Sequence, residues 1–418
     1  MEAGEHLRET IESQAALVER LLGDEQAASA VAPRIAAARR IFLVGTGTSF
    51  HGAMVGEFLF RTAGRDAWAV PAFEFVHYGP DLRADDALVL ISHRGSKRFS
   101  NEALERFASK SDAWVVVTGE GSAFEGAGAI RTCPQEKSSV HTASHTGAMV
   151  RLAQLARALS VGGLSDWDSS LRDLPAGLAS ASQLRRTVAA FAGDLDLSRP
   201  VHFVGAGPAW ATAMEGALKL GEASYVSTVA HELEGVLHGP LLSIGSGQAV
   251  VVISPAGPSL PRAREVIAAL KAIGAVVVAV GSAAKGLGGT AWSLQTPTFP
   301  EALAPIINVI PLQWLSYEVA RRVGVDPDTF RSTDAAYAAA QEAAAPVGPL
   351  PNPPPRAREG EIWSAAGGDG AFALVLDPRD VRFGRDAPEA GERVMPVVQN
   401  GAGDRRLGVR RMALHQLP

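Results

Sequence analysis

Three ionisable side chains in the segment EGALKLGEASY are spaced so that one face of a helix would carry them all. Glu215, Lys219 and Glu222 follow one another at intervals of four and three residues, which are neighbouring positions on a helix surface. An exposed stripe of ion pairs is one interpretation of this spacing. A partly buried carboxylate is also a competent general base, because burial raises its pKa towards neutrality.

A histidine follows this segment at a forced turn. His238 stands directly before Gly239 and Pro240, and these two residue types favour a turn at which the imidazole can project into a cleft. Because its ordinary pKa is near neutrality, an imidazole there can donate a proton to a ring oxygen.

A first glycine- and hydroxyl-rich loop follows an apolar strand-like run and precedes a predicted helix. It contains Gly45, Gly47, Thr48 and Ser49. Backbone N–H groups and two hydroxyls at a helix N-terminus form a natural phosphate cradle. A tight turn with a capping serine is the simpler interpretation of this loop.

Two further polar loops lie in the same half of the chain. The first carries hydroxyl and cationic side chains around a glycine, namely Ser92, His93, Arg94, Ser96 and Lys97. These groups suit a phosphate dianion, although a solvated basic loop would have the same composition. The second loop carries Ser139 and leads into an apolar helix, so a helix cap is its simpler interpretation. Three such loops together favour a phosphate site.

The elements that must position these residues are duplicated along the chain. Residues 41–54 and 201–214 are identical at five of fourteen positions at an offset of 160, and two further strand-like pairs follow at an offset of 162. Short apolar runs alternate with amphipathic stretches, which is typical of parallel sheets. We therefore predict an α/β fold of two tandem, doubly wound parallel-sheet domains with helices on both faces.

The repeat also suggests boundaries. We expect a helical lead-in, a first domain, a second domain and a Pro-rich linker with a short C-terminal extension, at 1–30, 31–175, 176–345 and 346–418. We predict a lead-in helix over Leu7–Leu22 and a second helix over Val31–Arg39. One hairpin is predicted in the extension, around Ala371–Leu376 and Val394–Gln399.

Composition excludes several classes of protein. The 418 residues carry 39 basic and 44 acidic side chains, a formal charge of −5, so no bulk basic field exists to hold nucleic acid or an anionic membrane. The single cysteine, Cys133, argues against disulfides and fits a reducing cytoplasm. We expect no secretory signal, no membrane span, no cofactor and no metal, since the histidines lack a convincing ligand spacing.

Together, the segments GTGTS, ISHRGS, EGALKLGEASY and LHGPL resemble the tandem sugar-isomerase (SIS) domain proteins. Similar proteins include the isomerase half of glutamine–fructose-6-phosphate aminotransferase, stand-alone aminosugar-phosphate deaminases and fructosamine-phosphate deglycases. The resemblance covers roughly Leu7 to Ala345. It implies a phosphosugar ligand, and it also implies roles for the residues of this chain that match the family's functional positions.

In the first half, the resemblance implies that Thr48, Ser49 and Ser92 hold the sugar phosphate and hydroxyls. His93, Arg94 and Lys97 occupy neighbouring positions where the family usually has Gln or Ser, Ser and Thr. This departure affects the identity of the substrate, because the additional cationic side chains would favour a more anionic ligand.

In the second half, the resemblance implies that Glu222 is the base that shuttles a proton between C1 and C2. Lys219 is its helical neighbour, Glu215 is a structural carboxylate, and His238 opens the sugar ring, often from the partner subunit. A homodimer is therefore expected.

Two departures concern whole segments. No Cys follows Met1, so we expect no glutaminase half within this chain. The family's C-terminal Pro-Arg-Asn-Leu-Ala-Lys stretch is replaced by Val325–Arg331, without the lysine.

The leading hypothesis is an enzyme that interconverts aldose and ketose forms of a sugar or aminosugar phosphate, coupled to amination or deamination at C2. Deglycation of a fructosamine phosphate is the nearest variant. A non-catalytic sugar-phosphate sensor is the alternative from a different class.

Overall fold

The computed structural model describes residues 2–124, 126–164 and 166–344. Three short helices open the chain: α1 (Glu5–Glu12), α2 (Gln14–Gly23) and α3 (Gln26–Val31). A 3-10 turn at Ala32–Arg34 leads from α3 towards the first strand.

The first half of the described chain forms a five-stranded parallel sheet with strand order β2-β1-β3-β4-β5. Its strands are β1 (Arg40–Gly45), β2 (Ala67–Pro71), β3 (Asp86–Ile91), β4 (Trp114–Thr118) and β5 (Ala129–Arg131). The helices of this half are α4 (Thr48–Thr62), α5 (Ala72–His77), α6 (Arg98–Ala108) and α7 (Ala143–Ala158).

Two helices, α8 (Trp167–Ser182) and α9 (Arg185–Asp194), connect this half to the second sheet. The second sheet is also parallel, with order β10-β9-β8-β6-β7. Its strands are β6 (Val201–Gly205), β7 (Thr228–Glu232), β8 (Ala249–Ile253), β9 (Val276–Gly281) and β10 (Trp292–Gln295). Its helices are α10 (Pro208–Ser224), α11 (Leu260–Ala272) and α12 (Ala304–Val323), followed by α13 (Ala335–Ala344).

The two sheets have the same topology. In each, the first strand of the half lies between the second and third strands, and the fourth and fifth continue on one side. The central strands β3 and β8 are buried along their whole length, as expected for apolar runs covered on both faces. The duplication and the α/β class predicted from sequence are therefore confirmed.

One hydrophobic core joins residues of both halves. Helix α12 is buried along almost all of its length, and so is α7, the equivalent helix of the first half. A buried polar chain ties the lead-in to both helices. Gln14 donates to Gln313 at 2.6 Å and accepts from Thr146 at 2.6 Å. Because buried amides need partners, this chain fixes α2 against α7 and α12.

Two helices predicted near the start of the chain are wrong. The predicted helix over Leu7–Leu22 is divided at Ser13 into α1 and α2. The predicted helix over Val31–Arg39 is absent, because α3 ends at Val31 and a 3-10 turn follows. Pro33 lies in that turn and cannot donate a backbone hydrogen bond, and Ile35, with a φ of −119° and a ψ of 2°, has left the helical region. The linker, the extension and the hairpin predicted within 346–418 lie outside the described residues.

Candidate active site

Helix α10 places three ionisable side chains on one face, as their spacing predicts. The Lys219 Nζ lies 2.6 Å from Glu222 Oε2 and 3.7 Å from Glu215 Oε1. Glu215 is 1% exposed and Lys219 is 2% exposed, so this is not a surface stripe. The Glu222 side chain is 26% exposed. It is therefore the member of the cluster that can reach a ligand.

Electrostatics hold the buried Glu215 and Lys219 in their charged forms. Burial alone would raise the pKa of Glu215, but Lys219, His145 and His51 outweigh it and hold this pKa below its usual range. Burial would lower the pKa of Lys219, but the carboxylates of Glu215 and Glu222 reverse this and raise it. The Lys219 ammonium thus lies between the carboxylates of Glu215 and Glu222.

The N-terminus of α4 joins the same cluster from the other half of the chain. The Thr48 Oγ1 donates to Glu215 Oε1 at 3.3 Å, and His51 Nδ1 lies 2.7 Å from Glu215 Oε2. The first loop and the helix EGALKLGEASY therefore belong to one site, although they lie about 160 residues apart in the sequence.

Glycines give the α4 loop its shape. Gly47 has a φ of 56°, a region that residues with a Cβ rarely occupy. A Cβ on Gly45 would lie 2.4 Å from the Ser49 carbonyl carbon. The second half repeats this turn, with Gly207 at a φ of 54°. The turn is therefore a shared feature of the fold, whereas the hydroxyls of Thr48 and Ser49 are specific to the first half.

A small cavity of about 40 Å³ lies at the carboxyl ends of β3 and β4, beside α4 and α7. Thr48, Ser49 and His93, all predicted site residues, line it. The other polar lining residues are Thr118, Thr132, His141, Ser144 and His145. This volume holds a few water-sized groups and is well below that of a typical ligand pocket, so a sugar ring must lie outside it.

The histidines of this cavity are neutral near pH 7. Burial lowers the pKa of His93 and of His145. Burial also lowers the pKa of His141 to about 4. Neutral imidazoles can donate a hydrogen bond from one nitrogen and accept one at the other, which suits a polar ligand.

Other predicted phosphate residues lie around this cavity without lining it. Arg94 is exposed, and its Nη2 lies 3.1 Å from His141 Nε2. Ser96 and Lys97 are exposed, and Lys97 immediately precedes α6. Ser92 is buried, and its carbonyl accepts a hydrogen bond from Thr118 at 2.7 Å.

The loop with Ser139 has a structural function. The Ser139 Oγ donates to the Asp328 carbonyl at 2.9 Å, so this hydroxyl is occupied within the chain. The Glu136 carboxylate accepts from the backbone N–H groups of Thr142, Ala143 and Ser144 at 2.9–3.1 Å. A carboxylate therefore already occupies the N-terminus of α7, as a helix cap would.

His238 lies apart from the α10 cluster. Its side chain is 70% exposed, and its Nε2 lies 2.8 Å from Glu234 Oε1. Among the described residues, no hydrogen bond or ion pair joins it to Lys219 or Glu222. Within one chain, His238 is not part of the assembled site.

Sequence reasoning missed two residues that complete the α10 cluster. His51 and His145 are buried and lower the pKa of Glu215. His51 is one turn after Thr48 on α4, so the helical spacing was an available signal for it. His145 offered none, because its place beside Glu215 depends on how α7 packs.

One group of residues next to the cavity has the donor types of a metal site. The ligand atoms of His93, Cys133 and Glu136 all lie within 4.8 Å of one another. His93 also lines the cavity. No other group of three such residues within that distance occurs in the part of the chain that the structure describes.

The fold and the site define a tandem-duplicated α/β protein whose two halves contribute to one polar cluster. The model of the SIS domain matches residues 34–156 and again 197–321. The chain therefore belongs to the SIS domain family, and the resemblance seen in the sequence is confirmed.

The curated relatives include enzymes named glutamine–fructose-6-phosphate aminotransferase [isomerizing]. The protein from Pyrococcus horikoshii is 28% identical over 337 residues, which cover 78% of this chain and 56% of the relative. The protein from Thermococcus kodakarensis is 29% identical with the same coverage. This chain thus spans little more than half the length of these relatives.

Solved structures show the same fold. The C-terminal domain of glucosamine-fructose-6-phosphate aminotransferase from Francisella tularensis aligns with a TM-score of 0.69 at 21% identity, covering 77% of this chain and 97% of that one. Tagatose-6-phosphate ketose/aldose isomerase from Escherichia coli aligns with a TM-score of 0.66 at 20% identity, covering 78% and 95%. No helix among the described residues has the length and apolar character of a membrane span.

Proposed function

We propose that this chain is an enzyme that interconverts the aldose and ketose forms of a sugar or aminosugar phosphate. The observation that carries this proposal is the Glu215–Lys219–Glu222 cluster, joined through Thr48 to the N-terminus of α4. The names of the relatives and of the similar structures concern phosphosugar isomerisation and aminosugar phosphates, which supports the same substrate class.

In this proposal Glu222 is the general base. Isomerisation requires removal of a proton next to a carbonyl or imine and its return to the adjacent carbon, and a carboxylate within reach of both carbons can perform both transfers. Lys219 Nζ donates a hydrogen bond to Glu222 Oε2 at 2.6 Å, and the partial exposure of Glu222 leaves its carboxylate open to a ligand. Remote binding of the phosphate at the N-terminus of α4, beside Ser49, would hold the sugar against this base. In the structure the Thr48 hydroxyl donates to Glu215, so it would have to exchange this partner to donate to a phosphate.

Two finer parts of the proposal concern the transfer of an amino group at C2 and the contribution of a second subunit to the site. We propose that the reaction is coupled to amination or deamination at C2, with free ammonia as the nitrogen species. His238 acts as the ring-opening acid from the partner subunit of a homodimer, in line with its exposure and its distance from the α10 cluster within one chain. A cytoplasmic location fits the single cysteine.

The reaction is tested by product analysis. The protein is incubated with glucosamine 6-phosphate, and separately with fructose 6-phosphate plus ammonia, and products are followed by NMR. We expect turnover of at least one hexose or aminohexose phosphate, with a Glu222→Gln variant inactive. Glu74→Gln, at an exposed position on α5, is the matched control and is expected to keep wild-type activity.

A thermal-shift screen over hexose phosphates, aminohexose phosphates and fructosamine phosphates separates the alternatives. Turnover of only the fructosamine phosphates would assign a deglycase. Tight binding with no turnover of any member would contradict the enzyme and favour a sensor.

A further inference from the structure

Three residues beside the cavity bring sulfur, nitrogen and oxygen donors together. His93 follows β3, Cys133 follows β5, and Glu136 lies three residues further along the chain. One ligand atom of each lies within 4.8 Å of the others. None of the three belongs to the Glu215–Lys219–Glu222 cluster, and Cys133 and Glu136 have no part in the proposed reaction.

The backbone around these residues is held in place. The His93 carbonyl accepts from the Gly119 N–H at 2.9 Å and from Gln135 Nε2 at 3.2 Å. The Cys133 carbonyl accepts from the Glu120 N–H at 2.8 Å. The hydrogen bonds from α7 fix the Glu136 carboxylate, and its oxygens keep further lone pairs.

The His93 ring lacks partners in this arrangement. Both of its ring nitrogens are buried, and neither has a hydrogen-bond partner. Buried polar atoms without partners are rare in folded proteins, and each calls for a specific explanation. Burial also keeps this imidazole neutral, which is the form that binds metals.

The donor set selects the metal. Thiolate, imidazole and carboxylate are the three ligand types of Zn²⁺, and three protein ligands leave one position open. With Zn–S of about 2.3 Å and Zn–N of about 2.0 Å, tetrahedral ligands lie about 3.5 Å apart. The ligand atoms, which lie within 4.8 Å of one another, must therefore approach by up to about an ångström. The His93 ring, which packs edge-on against His141 with centroids 5.4 Å apart, must shift with them.

We propose that His93, Cys133 and Glu136 form a Zn²⁺ site with one open coordination position. A surface pocket of about 460 Å³ gives access to the site, since Cys133 and Glu136 both line it. His93 lines the small cavity beside α4 and α7. The metal would therefore adjoin both the surface pocket and the small cavity.

Binding requires a change in protonation. Burial raises the pKa of the Cys133 thiol to about 12, so the residue is protonated before the metal arrives. Formation of the Zn–S bond replaces the S–H bond, and the proton leaves to solvent. The oxidation states of sulfur and zinc do not change.

The test uses the full chain without a polyhistidine tag, treated with a chelator and then titrated with Zn²⁺ by calorimetry, with no sugar present. We expect one Zn²⁺ per chain. Co²⁺ substitution is expected to give a near-ultraviolet charge-transfer band from the thiolate.

Two variants check the ligands independently. We expect Cys133→Ser and His93→Gln each to weaken Zn²⁺ binding at least tenfold, and Cys133→Ser to abolish the Co²⁺ charge-transfer band. His77→Gln, which changes an exposed histidine on α5, is the matched control and should bind as the wild type does. Circular dichroism shows whether each metal-free variant is folded. If one variant does not fold, Zn²⁺ binding by the other variant still tests the proposal.

Absence of stoichiometric binding to the wild type would overturn the proposal, and so would unchanged binding in folded Cys133→Ser. Because no sugar is used, these outcomes are independent of the proposed isomerase activity.

Discussion

At the scale of single residues, the unusual feature is a buried lysine between two glutamates. Lys219 offsets the charge of Glu215, which is buried and bonded to His51. A buried charge that loses its counter-ion is strongly destabilising, since desolvation is no longer compensated. Lys219 therefore supports the fold and positions the carboxylate of Glu222, to which it donates a hydrogen bond.

The Lys219→Met variant tests this dual role. We expect a loss of roughly 3–5 kcal/mol in the free energy of unfolding, because buried Glu215 loses its lysine counter-ion and keeps only Thr48 and His51 as hydrogen-bond partners. Urea denaturation measures it. Lys110→Met, at an exposed position after α6, is the control and should change stability by less than about 0.5 kcal/mol. Equal stability of the two variants would contradict the buried ion-pair description.

The neutral histidines predict a pH dependence of stability. Burial lowers the pKa of His141 to about 4 from an unfolded value of 6.5. The unfolded chain therefore binds a proton first as pH falls, and the stability contributed by neutral His141 is complete above pH 6.5 and lost between 6.5 and 4.

We expect His141→Gln to have a shallower decline in unfolding free energy over this range, by on the order of 1–3 kcal/mol. Urea titrations at pH 7, 5.5 and 4 measure the decline, and exposed His77→Gln serves as the control. A decline as steep in His141→Gln as in the wild type would show that His141 is not buried in its neutral form.

At the scale of elements, the duplicated turns before α4 and α10 allow the effect of backbone strain to be distinguished from the effect of ligand binding. Gly47 and Gly207 have nearly the same backbone conformation, and a Cβ at either position meets no close neighbour. Alanine at either site therefore introduces a similar backbone strain, of roughly 1–3 kcal/mol. Only the turn at Gly47 is followed by the hydroxyls of Thr48 and Ser49.

We therefore expect Gly47→Ala and Gly207→Ala to lower stability by similar amounts. Gly47→Ala alone should raise KM for the phosphorylated substrate, by about tenfold or more. Thermal melts and steady-state kinetics measure both effects. Equal KM changes in the two variants would argue against a phosphate subsite at α4.

Sequence alone predicted the elements well where periodicity was strong. Short apolar runs such as Ala87–Ile91 and Ala249–Ile253 indicated strands covered on both faces, and their repetition along the chain predicted the two sheets. The face shared by Glu215, Lys219 and Glu222 also followed from helical spacing. These inferences succeeded because strand and helix periods are local properties.

The contacts between elements could not be predicted from the sequence. Ser139 belongs to a hydroxyl-rich loop but bonds to Asp328, which is 189 residues away. Glu136 caps α7, and His145 is buried against Glu215. Each depends on how two distant segments pack, which spacing along one segment does not encode.

At the scale of the whole molecule, the site is divided between halves and, in our proposal, between subunits. Thr48 and His51 from one half meet Glu215 from the other. His238 is exposed and bonded to Glu234, so within one chain it does not reach the cluster. A homodimer that supplies His238 from the partner would complete the site.

Subunit mixing tests this arrangement. Glu222→Gln and His238→Asn are each expected to be inactive as homodimers. Heterodimers formed from equal amounts would contain one intact site, so the mixture should recover about a quarter of wild-type activity. Mass photometry checks the dimer. Activity no greater than that of the separate variants, in mixtures that demonstrably exchange subunits, would place His238 outside the shared site.

The central claim is that Glu222 moves a proton between neighbouring carbons of a phosphosugar. The most direct measurement is incorporation of solvent deuterium at C1 or C2 of hexose and aminohexose phosphates in D₂O, followed by NMR. We predict incorporation with the wild type and with Glu74→Gln, and a reduction of about 10²–10⁴-fold with Glu222→Gln. Equal incorporation by Glu222→Gln and the wild type would contradict the claim, as would a wild type that binds these sugars without exchange.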